Sequence, residues 1–123
     1  MTRILYVDDD SDIREVALMA LELDGGLEVR ACASGADALV EAPIFKPALI
    51  LLDVMMPQMD GPTTLAGLRA DPRTADIAVV FITARTQTAE VERLKTLGAL
   101  GVIPKPFDPM TLADQARAFL AGA

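Results

Sequence analysis

Five short apolar runs alternate with segments that carry apolar residues at helical spacing, and this alternation is the strongest constraint on the fold. The runs are residues 3–7, 27–31, 48–52, 77–82 and 101–103, and the helical segments are 12–23, 34–42, 61–71, 87–97 and the stretch that opens at Pro109. Residues 48–52 (ALILL) are apolar on both faces, as strands of a parallel sheet covered by helices are. The sequence predicts an α/β protein of five βα units. Pro43 is expected to end the second helix.

Composition narrows the class of protein. The 123 residues suit one domain, and no linker or output domain is visible in residues 1–123. With 18 acidic and 11 basic residues the net charge is −7, which argues against direct nucleic-acid binding. We find no apolar stretch near the roughly 20 residues of a membrane helix, no signal segment, and one cysteine, too few for an internal disulfide. We therefore expect a cytoplasmic protein without membrane contact.

Polar residues follow the apolar runs at the point where each predicted strand ends. Asp8 and Asp9 follow the first run, Asp53 the third, Thr83 the fourth, and Lys105 comes just after the fifth. Ligands of open α/β sheets bind beyond the carboxyl ends of the strands, so we expect these side chains to converge. Carboxylates suit a hard cation such as Mg²⁺, an ionised aspartate can attack phosphorus, and a hydroxyl and an ammonium suit phosphoryl oxygens.

Two further features limit the chemistry at these strand ends. The sequence has no histidine, which excludes histidine metal ligands, Ser-His or Cys-His catalysis, and a phosphohistidine on this chain. Asp10 and Asp12 follow the first acidic pair and are expected to begin the first helix, because aspartate caps helix N-termini.

Four segments together resemble the receiver domain of two-component response regulators. They are ILYVDDD (4–10), LILLDVMMPQMDG (49–61), VVFITAR (79–85) and GVIPKPF (101–107), in the family's order and at suitable spacing. The resemblance covers essentially the whole chain. It implies a flavodoxin-like, doubly wound (βα)5 sandwich with strand order 2-1-3-4-5 and helices on both faces, similar to a single-domain chemotaxis regulator.

The resemblance assigns a metal site to the acidic residues. Asp53 would be the phosphoacceptor, and Asp8 and Asp9 the acidic pair that binds Mg²⁺, with Mn²⁺ as an alternative. Asp9 would bind the ion directly and Asp8 mainly through water, while Asp53 and the main-chain carbonyl of Met55 would supply further ligands. Repulsion between the carboxylates would make the empty site avid for a divalent cation.

It also assigns the groups that would contact the phosphoryl group. Thr83 would donate a hydrogen bond to it and shift when it arrives. Lys105 would pair with a phosphoryl oxygen and, before phosphorylation, with Asp53. The Lys105–Pro106 bond would be cis, an isomer that is accessible at modest cost only before proline.

This sequence departs from the family pattern at two places. Many members have an aromatic residue three positions before the lysine, where this chain has Val102, so we expect the signal to travel through Thr83, its loop and the fourth helix instead. The positions that tune dephosphorylation in the family are Met55 and Arg85 here. Methionine does not orient an attacking water by strong hydrogen bonding, so slow hydrolysis is expected, although Arg85 could also neutralise charge near the phosphoryl group.

The resemblance implies a signalling module and not a turnover enzyme. A histidine kinase or histidine phosphotransfer protein would donate the phosphoryl group, and the domain would catalyse only its own phosphorylation and dephosphorylation. The modified form would bind a downstream protein partner, as a monomer or as a weak dimer through the face of the fourth and fifth helices. Both a stand-alone receiver and one excised from a larger kinase or regulator fit the sequence.

Three other classes fit less well. A haloacid-dehalogenase-like phosphatase would use Asp8 as nucleophile in an Asp8-x-Asp10 pair, but no cap domain or insertion is visible. A flavodoxin-like cofactor binder needs a first loop rich in Gly, Ser and Thr, whereas DDDSD would repel a phosphate. A degenerate receiver, used only as an adaptor, is disfavoured by the complete set of site residues.

Overall fold

Strands and helices alternate along the whole described chain. The computed structural model describes residues 1–122. Its strands are β1 (Thr2–Val7), β2 (Leu27–Cys32), β3 (Leu49–Asp53), β4 (Ala78–Thr83) and β5 (Gly101–Pro104). Its helices are α1 (Ser11–Glu22), α2 (Gly35–Phe45), α3 (Gly61–Ala70), α4 (Thr88–Thr96) and α5 (Leu112–Gly122).

The five strands form one parallel sheet in the order β2-β1-β3-β4-β5. The winding reverses between β1 and β3, because β2 lies on one side of β1 and the later strands lie on the other. In this topology the two central loops, after β1 and after β3, diverge and leave a crevice at the carboxyl edge of the sheet. The predicted fold and strand order are confirmed.

Each face of the sheet buries its own apolar cluster. Alternate side chains of a strand point to opposite faces, so Leu5 and Val7 belong to one cluster while Ile4 and Tyr6 belong to the other. Helices α2, α3 and α4 cover the first cluster, and α1 and α5 cover the second. Burial of one large aliphatic side chain contributes about 1.5–3 kcal/mol to the stability of the fold. Strands covered by helices on both faces bury the side chains of both faces, so their sequences are apolar without polar interruption.

Helix α2 continues past Pro43, so the expectation that Pro43 ends it is wrong. The helix runs to Phe45, and Lys46 closes it in the left-handed region (φ 54°, ψ 59°). Phe45 is buried, its carbonyl accepts a hydrogen bond from Arg3 Nη1 (3.2 Å), and the Arg30 guanidinium lies 4.6 Å from its ring centroid. Proline cannot donate the amide hydrogen bond of a regular helix. The contacts of Phe45 offset this loss and stabilise the last turn.

The last helix begins later than expected. Pro109 lies in a turn in which the Thr111 amide donates to the Asp108 carbonyl (3.1 Å), and α5 starts only at Leu112. On α1, Val16 is 43% exposed. Val16 lies beside the turn that precedes α5, in a shallow apolar depression that Phe107 also lines.

Candidate functional site

The strand ends bring the predicted polar residues to one edge of the sheet. Val7 is paired with Leu52, the residue before Asp53, and Asp53 is paired with Ile82. Thr83, the last residue of β4, is paired with Pro104, which precedes Lys105. The register of the sheet therefore places side chains that are far apart in sequence side by side.

Three carboxylates form the centre of the site. Asp8, Asp9 and Asp53 each offer an oxygen, and these atoms all lie within 4.8 Å of one another. Asp8 is fully buried, Asp53 is 4% exposed, and Asp9 is open to solvent. Mg²⁺ takes hard oxygen ligands and keeps several waters, and this donor set, with one solvent-facing carboxylate, fits it.

Lys105 is the cation that accompanies the two buried carboxylates. Its Nζ lies 3.2 Å from Asp8 Oδ2 and 3.2 Å from Asp53 Oδ2, and its side chain is 20% exposed. Three carboxylates against this single ammonium leave two net negative charges in the group. This excess charge favours a divalent cation.

The burial of Asp53 changes its proton affinity. Burial, followed by the negative charge of Asp8, raises the pKa of Asp53 from 3.8 to about 6, although Lys105 and the Met55 amide pull it down. Burial also lowers the pKa of Lys105, but Asp53 and Asp8 outweigh this effect and the net shift is upward. Lys105 is therefore charged at neutral pH, and the Asp53 carboxylate is mostly ionised.

Both oxygens of Asp8 are occupied by hydrogen bonds. The Asp10 amide donates to Oδ1 (3.0 Å), and the Tyr6 hydroxyl (3.0 Å) and Lys105 Nζ (3.2 Å) both donate to Oδ2. Asp10 itself caps α1, since its Oδ1 accepts from the amides of Asp12 and Ile13. Asp8 is thus a fixed, buried acceptor and Asp10 a helix cap, which argues against an Asp8 nucleophile paired with Asp10.

Sequence reasoning missed Tyr6. Burial and the neighbouring Asp8 carboxylate raise the pKa of the Tyr6 phenol well above its usual value, so the hydroxyl stays a donor. The signal was present: residues two apart on a strand share a face, and a buried tyrosine normally finds a partner for its hydroxyl. Tyr6 stands two positions before Asp8.

A cavity of about 290 Å³ opens next to Asp53. Thr83 is buried at its edge, and its Oγ1 accepts a hydrogen bond from the Arg85 amide (3.0 Å). The Met55 amide lies 3.4 Å from Asp53 Oδ1, within hydrogen-bond distance, while Met55 as a whole is 62% exposed. The cavity is lined by Asp9, Asp10, Asp53, Met55, Thr83, Ala84, Arg85 and Lys105.

Gly61 lets the loop after β3 close tightly over the backbone of Asp53. Its amide donates to the Val54 carbonyl (2.8 Å), and a Cβ at this position would lie 2.5 Å from the Asp53 carbonyl oxygen. Asp60 caps α3 through the Thr63 amide (2.8 Å). The Asp60-Gly61 pair therefore positions the chain around Asp53.

Two other predicted positions lie on β5 and directly after it. The Lys105–Pro106 bond is cis, as the resemblance implied. Val102 is half-buried and packs against the apolar cluster under α2, α3 and α4. The structure thus brings together the predicted acidic residues, Lys105 and Thr83, whereas Val102 contributes to the core.

Comparison with known proteins identifies the family. Residues 4–117 match the family described as "Response regulator receiver domain". The chain belongs to this family. A response regulator receiver is a domain of two-component signalling, and the family membership expected from the four motifs is confirmed.

The relatives of this receiver include longer proteins. It is 38% identical over 120 residues to the "DNA-binding dual master transcriptional regulator RpaA" of Synechocystis, an alignment that covers 98% of this chain and 49% of RpaA. It is 36% identical over 118 residues to the "DNA-binding response regulator MtrA" of Mycobacterium tuberculosis, covering 96% of this chain and 50% of MtrA. The chain therefore spans about half the length of the curated relatives that it matches.

Solved structures of similar size share the fold. The chemotaxis response regulator CheY4 of Vibrio cholerae superposes with a TM-score of 0.88 at 31% identity, covering 97% of this chain and 98% of CheY4. The signal receiver domain of a histidine kinase from Syntrophus aciditrophicus gives 0.83 at 29% identity, covering 100% of this chain and 92% of that one. Within residues 1–122, the receiver has no helix with the length and apolarity that crossing a membrane demands.

Proposed function

We propose that Asp53 accepts a phosphoryl group from a phosphohistidine on another chain or domain, and that the modified receiver signals to a protein partner. The observation that carries this proposal is the position of the Asp53 carboxylate. It is buried beside two further aspartates and bonded to Lys105, at the edge of a cavity open to solvent. Membership of the receiver family supports the reaction type.

The transfer forms one bond and breaks one. An oxygen of ionised Asp53 attacks phosphorus, the P–N bond of the phosphohistidine breaks, and its electron pair stays on the imidazole nitrogen. Asp8, Asp9, Asp53 and the Met55 carbonyl would hold Mg²⁺, which when bound would neutralise charge on the phosphoryl oxygens. Catalysis would then be mainly positioning and charge neutralisation by these residues.

Lys105 and Thr83 would receive the transferred group. Lys105 already bonds Asp53 Oδ2, so conversion of Asp53 to an acyl phosphate frees the ammonium to pair with a phosphoryl oxygen. The Thr83 hydroxyl accepts from the Arg85 amide through a lone pair, so its proton remains able to donate to a second phosphoryl oxygen. Movement of Thr83 toward that oxygen would pull on the Thr83–Arg85 turn.

Helix α4 is suited to carry this movement to the surface. It begins three residues after Arg85, its N-cap residue Gln87 makes no side-chain capping bond, and Leu94 is its one buried residue. A helix with few buried contacts rearranges at low cost. We therefore propose that the signal passes from Thr83 through its loop to α4, without an aromatic side chain at Val102.

The partners remain predictions. They are a histidine kinase or histidine phosphotransfer protein as donor, and a downstream protein that reads the altered surface. The same proposal includes a receiver that is a monomer or a weak dimer through α4 and α5, and that is located in the cytoplasm. It also includes no direct binding of nucleic acid, and catalysis limited to the receiver's own phosphorylation and dephosphorylation.

Incubation with acetyl phosphate and Mg²⁺, followed by intact-mass measurement, tests the proposal. We expect the wild type and the surface variant Asp76→Asn to gain the mass of one phosphoryl group, and Asp53→Asn to gain none. EDTA should abolish the gain. A folded wild type that gains no mass, or an Asp53→Asn variant that gains as much as wild type, would contradict the proposal.

A further inference from the structure

We infer that Tyr6 is a positioning residue, whose hydroxyl holds the Asp8 carboxylate in the orientation from which Asp8 serves the cation site. The inference rests on the proposed function, because it assigns Asp8 to that site. It adds a residue that lies inside β1 and neither touches the cavity nor belongs to the acidic group.

The position of the Tyr6 ring is fixed by packing. The residue is fully buried in the cluster under α1 and α5, and its ring meets the Phe107 ring edge-on, with centroids 6.3 Å apart and planes at 74°. Phe107 lies two residues after Lys105, on the loop that carries the lysine. The phenol is therefore packed between the strand that leads to Asp8 and the loop that leads from Lys105.

The two donors to Asp8 Oδ2 differ in how firmly they are held. Tyr6 is fully buried, and its hydroxyl lies 3.0 Å from this oxygen. Lys105 is partly exposed and divides its ammonium between Asp8 and Asp53 at 3.2 Å each. When Lys105 turns to a phosphoryl oxygen, Tyr6 is the donor that remains on Oδ2.

The consequence concerns the cation site. A buried carboxylate that loses a donor turns toward the donors that remain, and the one left on Asp8 Oδ2 would be the Lys105 ammonium. Without the phenol, Asp8 would follow Lys105 and leave the position in which its carboxylate faces Asp9 and Asp53. Residues that orient metal ligands in this way typically account for 10–100-fold in metal affinity.

Calorimetric titration with Mg²⁺ tests the inference on the full chain. We expect Tyr6→Phe to bind Mg²⁺ about tenfold more weakly than wild type. The matched control is Thr74→Val, which also removes a buried hydroxyl, one that donates to the Leu68 carbonyl (2.7 Å) near the opposite end of β4. The control should lose stability but keep wild-type Mg²⁺ affinity, and saturating Mg²⁺ should restore phosphorylation of Tyr6→Phe to the wild-type rate.

A second readout needs no substitution at the site. The chain has one tyrosine and no tryptophan, so its ultraviolet emission reports on Tyr6 alone. A hydrogen bond to a carboxylate quenches a phenol, and a cation that draws charge from Asp8 should relieve this quenching. We expect the emission to rise with Mg²⁺, at the midpoint found by calorimetry.

The outcomes separate this inference from the function on which it rests. Unchanged Mg²⁺ affinity in a folded Tyr6→Phe, with a normal mass gain in wild type, would overturn the inference alone. If Tyr6→Phe does not fold, wild-type emission decides, and an emission that stays constant while calorimetry records binding would overturn it. A wild type that neither binds Mg²⁺ nor gains mass would overturn both.

Discussion

Replacing Asp53 by asparagine should make the metal-free receiver more stable at neutral pH, although it removes the proposed acceptor. The ionised Asp53 carboxylate is buried against Asp8, and Lys105 compensates only part of that repulsion. Asparagine removes the charge and keeps an oxygen that can accept from Lys105. The variant therefore removes the repulsion between Asp53 and Asp8, which the proposed function requires.

The magnitude follows from the pKa of Asp53. Its rise from 3.8 to about 6 means that ionisation costs more in the folded than in the unfolded chain, and each unit corresponds to 1.36 kcal/mol. The gain for Asp53→Asn is therefore up to about 3 kcal/mol above pH 7. The Asp53 side chain is only 5% exposed, so solvent screening does not reduce this figure much.

The pH dependence has a defined sign. Between about pH 4 and pH 6 the folded wild type binds a proton at Asp53 that the unfolded chain has lost, so its stability falls as pH rises through this window. Asp53→Asn has no ionisable group at this position and therefore lacks this pH-dependent change in stability. Urea unfolding in EDTA should give a stability difference near zero at pH 4 that grows to its full value above pH 6.

Asp60, which caps α3, provides a control in which the pH dependence of stability should have the opposite sign. The Thr63 amide hydrogen bond lowers the pKa of Asp60, so its ionised form stabilises the fold, and Asp60→Asn should lose stability relative to wild type as pH rises. A stability difference for Asp53→Asn that is constant with pH, or that is negative at pH 8, would refute the reasoning about Asp53.

Three further predictions concern the cation, the lifetime and the route of the signal. Asp9→Asn should weaken Mg²⁺ binding and leave the metal-free fold as stable or more so; equal affinity by calorimetry would refute the assignment of Asp9 as a ligand. The phosphorylated form should decay slowly, and Met55→Asn, which can orient a water, should accelerate the decay followed by intact mass; a wild type that decays within seconds would count against this role of Met55. Beryllofluoride, a phosphoryl mimic, should shift the amide resonances of Thr83, Arg85 and α4; large shifts centred on Val102 would contradict the proposed route.

The strands of the sheet could be predicted because they follow from the local pattern of apolar residues. The apolar runs of β1 and β3 are typical of strands that helices cover on both faces, and this pattern can be recognised from the sequence alone. The convergence of Asp8, Asp53 and Lys105 followed from the rule that parallel strands end at one edge. The strand order itself came from the resemblance and not from periodicity.

The end of α2 could not be predicted because tertiary contacts overrule a local preference. Pro43 normally breaks a helix, but Phe45 lies beyond it and is fixed by Arg3 and Arg30. Those arginines come from β1 and β2, more than a dozen residues away in sequence. A prediction from local propensity has no access to such contacts.

The resemblance distinguished the roles of Asp8 and Asp9, but their different burial could not be predicted from the local sequence. In the sequence Asp8 and Asp9 are adjacent and equivalent, yet one is fully buried and the other is exposed. Asp8 and Asp9 directly follow the end of β1 at Val7, and Asp8 bonds the Tyr6 hydroxyl while Asp9 faces solvent. The spacing of Tyr6 and Asp8 indicates that they share a face, but their hydrogen bond also requires the burial of Asp8, which the local sequence does not reveal.

Mapping the modified residue tests the central claim most directly. Phosphorylated receiver is reduced with borohydride, which converts an aspartyl-phosphate to homoserine, and the digested chain is sequenced by tandem mass spectrometry. We predict homoserine at position 53 and unmodified aspartate at positions 8 and 9. Homoserine at either of those two positions, with Asp53 intact, would contradict the account.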